Sequence, residues 1–93
     1  MKKYLIKREV PKIGTLNGEQ FCEIAAKSNG ALSQLAPHIQ WVESFVTDNN
    51  TFCVYLAEDE SYIRRHAEIS GFPANEIIEI RRTIDPTTAS SPR

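Results

Sequence analysis

The stretch from Ile39 to Ala57 most constrains what this chain can fold into. Ile39 to Thr47 and Thr51 to Ala57 are two runs rich in β-branched and aromatic residues, separated by Asp48-Asn49-Asn50. Such runs around a short polar loop predict a β-hairpin. With Asp48-Asn49-Asn50 as a three-residue loop, Phe45 faces Cys53, Glu43 faces Tyr55 and Trp41 faces Ala57. Val42, Ser44 and Val46 then share the other, nearly all aliphatic face with Phe52, Val54 and Leu56. A two-residue loop mixes polar and apolar residues on each face, so the three-residue loop is the expected register.

The remaining elements follow from periodicity. Lys3 to Val10 reads as a strand, with Tyr4, Ile6 and Arg8 on one face and Leu5, Lys7 and Glu9 on the other. Asn17 and Gln20 have the spacing of a capping box. Phe21, Ile24, Ala25, Ser28, Leu32 and Leu35 then recur at helical spacing, predicting one helix that reaches about Leu35, weakened or kinked at Gly30. Glu58-Asp59-Glu60 opens a second helix whose inward stripe is Ile63, Ala67 and Ser70, with His66 beside it, and Gly71 stops it. Glu76 to Ile84 is the last strand. The order β-α-β-β-α-β predicts an α+β ferredoxin-like sandwich, a four-stranded antiparallel sheet with two helices on one face. It forms one domain over residues 1–85, and the proline-bearing, apolar-poor segment 86–93 reads as a loose tail.

On this register the aliphatic hairpin face meets the helices. The opposite face carries Tyr4, Ile6, Arg8, Trp41, Glu43 and Phe45, together with Cys53, Tyr55, Glu79 and Arg81. Aromatic surface of that extent calls for a cover, either a second copy of the chain or a small-molecule ligand. A chain of 93 residues has an adequate rather than a generous core, which also favours a homodimer.

Composition removes several classes. The net charge of −1, with acids and bases interspersed, argues against nucleic-acid binding. RNA-recognition modules share this element order, but they need a basic-glycine lead into their central-strand aromatics, and here Asn49-Asn50-Thr51 precedes Phe52. No segment approaches membrane-spanning length. Met1-Lys2-Lys3 is followed by only Tyr4-Leu5-Ile6 before Lys7-Arg8-Glu9, too short an apolar run for a secretion signal. Cys22 and Cys53 form no Cys-x-x-Cys pair, and two reduced thiols in a cytoplasmic protein is the expected state.

Four features carry candidate chemistry. Glu43, flanked by Trp41 and Phe45, reads as a desolvated carboxylate suited to general acid-base work or to a metal ion. An ion pair with Arg8 or Arg81, within or between sheets, is the plainer explanation. His66 and His38 are the histidines, imidazole suits nickel, zinc or copper, and an unliganded His66 at the helix-sheet boundary is the alternative. Cys53 points to the face of Glu43 and Tyr55 but has no base near it in sequence, so it reads as a packing thiol. Arg64-Arg65 and Arg81-Arg82 read as solvated pairs.

Several runs together resemble a known family. Tyr4-Leu5-Ile6 with Arg8, Trp41-Val42-Glu43-Ser44-Phe45-Val46 and Thr51-Phe52-Cys53-Val54-Tyr55 are similar to those of small bacterial nickel-binding proteins with a ferredoxin-like fold. Ile63-Arg64-Arg65-His66-Ala67 and Gly71-Phe72-Pro73-Ala74-Asn75-Glu76-Ile77 extend the resemblance over Lys3 to Asp85. It implies a dimer that binds a divalent transition metal, Ni²⁺ first. His66 stands at the family's histidine position, and Glu43 stands where many members have histidine. The implied metal residues are therefore His66 and Glu43, with Tyr4, Arg8, Trp41, Phe45, Cys53, Tyr55 and Arg81 forming the cleft or dimer face. A second expectation, by analogy of fold, is a cofactor-free monooxygenase or isomerase. Glu43 would be its general base, and Tyr55 with Arg8 or Arg81 would stabilise an enolate-like oxygen. A third is a face that only joins two copies.

Overall fold

The β-hairpin forms the outer half of a four-stranded sheet in the computed structural model, which describes residues 1–90. In chain order the elements are β1 (Lys2–Glu9), α1 (Gly18–Leu35), β2 (Ile39–Val46), β3 (Asn50–Ala57), α2 (Glu60–Ser70) and β4 (Glu76–Ile80). The sheet is antiparallel in the order β2-β3-β1-β4, a ferredoxin-like arrangement. Short 3₁₀ turns follow β1 at Ile13–Thr15 and close the described chain at Pro86–Ala89. Residues 91–93 of the expected tail lie outside the described residues, and Asp85 caps the turn at its start.

Local sequence explains both helices. The side chain of Asn17 accepts from the Gln20 backbone, and Gln20 accepts in return from the Asn17 backbone, so two otherwise orphaned N–H groups are satisfied. α1 runs unbroken through Gly30, as its apolar stripe requires. Asp59 caps α2, and Gly71 ends it in the left-handed conformation at φ 77°, which a side chain would strain. β4 stops at Ile80 rather than at Ile84. β4 pairs only with the β1 segment Lys3–Lys7, and Ile80 already stands opposite Lys3, one residue from the start of β1 at Lys2, so the chain that follows runs past the end of that strand.

The hairpin register departs from expectation. The loop is the two-residue turn Asp48-Asn49, with the Thr47 N–H donating to the Asn50 carbonyl at 2.9 Å. Val46 pairs with Thr51, Phe45 with Phe52, Ser44 with Cys53 and Glu43 with Val54, but Trp41 pairs with Tyr55. Val42 is an extra residue bulged out of β2, and the bulge changes which side each half of the strand presents. A two-residue turn and a consistent apolar face thus coexist, which a regular ladder does not permit.

The bulge and the β1 pairing turn the sheet over relative to expectation. The core is Tyr4 and Ile6 from β1, Ile39 from β2, Cys53, Tyr55 and Ala57 from β3, with Leu35 and Ile63 from the helices. Tyr4, Arg8, Trp41, Cys53 and Tyr55 therefore lie on the helix-covered side, and the expectation that they form the bare side is corrected. Glu43 and Phe45 do lie on the uncovered side, beside Phe52, Val54, Leu56, Leu5 and Ile78 through the ladder pairs. Arg81 lies past the end of β4, exposed, with Nη1 3.3 Å from Glu79 Oε2.

Candidate functional site

A cavity of about 350 Å³ lies between α1 and the sheet, toward the end nearest the hairpin turn. Volumes of about 300 Å³ and above accommodate small-molecule ligands. Phe21, Ile24, Ala25 and Ser28, one stripe of α1, form its roof. Trp41, Ser44, Cys53 and Tyr55 form its floor, with Ile13, Thr51 and Phe72 at the margins. Trp41 and Ser44 reach it together because of the bulge, and the Trp41 indole N–H donates to Ser44 Oγ at 2.9 Å. In an unbulged strand these two residues would point to opposite faces.

One wall of this apolar chamber is charged. Arg8, the last inward residue of β1, is only 4 % exposed and lines the cavity. Its Nη1 donates to the Pro73 carbonyl at 2.6 Å, and its guanidinium carbon stands 6.0 Å from the centre of the Tyr55 ring. Nη2 is buried with no hydrogen-bond partner, and among the described residues no carboxylate lies within ion-pair distance of Arg8. A buried cation without a counter-charge is costly.

The surroundings of Arg8 are themselves neutral. His66 is fully buried on α2, with Nε2 3.0 Å from Ser28 Oγ and its ring edge-on to Tyr55 at 5.2 Å. Burial, and then the positive charge of Arg8, push its pKa down to about 4, so the imidazole is uncharged at neutral pH. Nδ1 is buried without a partner. Burial pushes the Tyr55 hydroxyl up, against the pull of Arg8. Arg8, Tyr55, Ser28 and His66 are thus one polar cluster drawn from β1, β3, α1 and α2.

The two residues implied as metal ligands are not brought together. His66 is enclosed beneath the sheet, whereas Glu43 is exposed on the far side. Among the described residues no group of three or more His, Cys, Asp or Glu side chains could hold a metal ion. A cationic guanidinium beside His66 also opposes a second cation there. The residues of one protomer therefore do not fit a metal centre. His38 is at the surface, with Nδ1 2.8 Å from Glu58 Oε1 and its ring stacked on Tyr62. The enzyme trio is divided as well, with Glu43 on one side of the sheet and Arg8 and Tyr55 on the other. Cys53 is a buried free thiol and Cys22 an exposed one.

Sequence reasoning named Arg8, Trp41, Cys53 and Tyr55 but set them against solvent or a partner rather than beneath α1. It missed Ser28 as the partner of His66. The signal was present, because Ser28 is the one polar residue in the apolar stripe of α1.

No helix among the described residues is long and apolar enough to cross a membrane. A search of curated proteins finds no match. Among solved structures, the crystal structure of SCO4226 from Streptomyces coelicolor A3(2) superposes with a TM-score of 0.73. The match covers 88 % of this chain and 99 % of that one, at 10 % identity, and shows a common fold. The model of the SCO4226-like family, described as nickel responsive proteins, matches residues 4–80. The chain belongs to this SCO4226-like family.

Proposed function

We propose that this chain acts as a homodimer that binds a divalent transition metal, Ni²⁺ first, with the uncovered face of the sheet as the seam between copies. The observation that carries the reading is an apolar stripe across that face, Phe45, Phe52, Val54, Leu5 and Ile78, bordered by the charged Lys3, Lys7 and Glu9 of β1. Phe45 is 55 % exposed and pairs with Phe52, while Ile78 pairs with Leu5, and both helices lie on the other side. Contiguous apolar surface of this kind marks a contact site in soluble domains. The family description supports the metal. Since one protomer does not assemble a ligand set, the metal residues of this reading come from two copies, and Glu43 is the carboxylate the seam carries from each. A carboxylate is a harder ligand than imidazole, so binding is weaker than an all-histidine site would give.

Sedimentation equilibrium and calorimetric Ni²⁺ titration test both halves. Wild type is expected to be a dimer that gives a saturable heat with Ni²⁺. Phe45→Glu should be a folded monomer without that heat, and Glu43→Ala a dimer without it. A monomeric wild type removes the seam. A dimer silent toward Ni²⁺, or one whose response survives Glu43→Ala, removes the metal site.

A further inference from the structure

We propose that the cavity beneath α1 binds a small monocarboxylate with an apolar body, its carboxylate on Arg8 and its body against Trp41 and Phe21. This does not rest on the nickel reading, because it uses the opposite side of the sheet. Three observations converge on it. The chamber has the volume of a ligand site and an almost wholly apolar lining, with no acidic residue among the side chains that form it. Its one charged side chain, Arg8, is buried, has an Nη2 without a partner and has no ion-pair partner among the described residues. The groups around that guanidinium are neutral donors or acceptors, the Tyr55 and Ser28 hydroxyls and an uncharged His66.

The chemistry selects the ligand class. A guanidinium matches a planar carboxylate in geometry and charge, and the hydrogen bonds between them are charge-assisted. A fully polar anion such as inorganic phosphate would strand its solvated oxygens against Phe21, Ile24 and Trp41, whereas a neutral apolar molecule would leave Arg8 uncompensated. An acid with an apolar tail satisfies both parts of the chamber.

Trp41 is the single tryptophan of the chain and lines the cavity, so its fluorescence reports on occupancy. Titration of the whole protein with octanoate, 1-octanol and inorganic phosphate separates the possibilities. Octanoate should shift the Trp41 emission saturably and bind at least about tenfold more tightly than octanol, the ratio expected for one charge-assisted hydrogen-bonded pair. Phosphate should give no response. Arg8→Met, which keeps most of the side-chain volume, should lower octanoate affinity by about tenfold or more while leaving octanol unchanged. Ala25→Phe, which fills the roof without touching the charge, should abolish the response to both. Equal affinity for octanoate and octanol, octanoate binding that survives Arg8→Met, or a response that survives Ala25→Phe would each overturn the proposal. So would the lack of any saturable octanoate response. Should Arg8→Met fail to fold, the Ala25→Phe and octanol comparisons decide alone.

Discussion

Acidification should destabilise this protein through one residue, His66. Its imidazole is fully buried, and its pKa stands at about 4 in the fold against an ordinary value of 6.5. The unfolded chain therefore takes up a proton as pH falls below 6.5, while the folded chain refuses it until about pH 4. Stability is at its plateau above pH 6.5 and declines across the window between the two values. Integrating the linkage gives a loss of about 2 kcal/mol between pH 7 and pH 5, rising to about 3 kcal/mol at pH 4. That is a large part of the roughly 5–14 kcal/mol expected for a domain of this length. Urea unfolding at pH 7, 6 and 5 measures it. With a urea m-value of about 1–1.5 kcal/mol/M the midpoint should fall by about 1.5 M. His66→Gln can keep a hydrogen bond to Ser28 but does not titrate, so its midpoint should stay nearly flat over the same range. Asp59, whose pKa its bonds from Ser61 hold below the usual 3.8, loses its contribution only at more acidic pH and does not enter this window. Parallel pH slopes in wild type and His66→Gln would refute the assignment, as would a wild-type midpoint that does not move.

Two further predictions concern stability. A Cβ on Gly14 would stand 2.8 Å from the Thr47 carbonyl oxygen and 2.9 Å from Asp48 Cα, where the loop after β1 meets the hairpin turn. Gly14→Ala should cost about 1–3 kcal/mol by forcing these backbones apart, read as a lower urea midpoint, and an unchanged midpoint would show that the loop gives way freely. Asn17→Ala removes one side of the capping box of α1 and should cost about 1 kcal/mol, with amide exchange accelerated first in the Gly18–Phe21 turn.

The elements themselves were legible because each is signalled within a few residues. Asn17 and Gln20 mark where α1 begins, Gly71 marks where α2 ends, and alternation in β1 and β3 marks strands. The order of these elements then leaves few topologies. Part of the cavity lining stood out too, since Arg8 is a charge on the same row of β1 as the apolar Tyr4 and Ile6, but the roof from α1 did not.

What only the tertiary structure decided is which side of the sheet those residues occupy. Strand side chains alternate with period two, so a shift of one residue exchanges the faces completely. Val42 makes that shift inside β2, and no local pattern distinguishes a bulge there from a longer hairpin loop. In β3 both rows are apolar, Cys53-Tyr55-Ala57 and Phe52-Val54-Leu56, so hydrophobicity alone could not choose between them. The choice depended on β1, where Lys3, Lys7 and Glu9 share a side with Leu5 and cannot all be buried under helices. Pairing β3 to β1 sends Tyr55 inward and completes the polar cluster with Ser28 and His66. That cluster joins residues far apart in the chain, so it exists only once the helices have packed on the sheet.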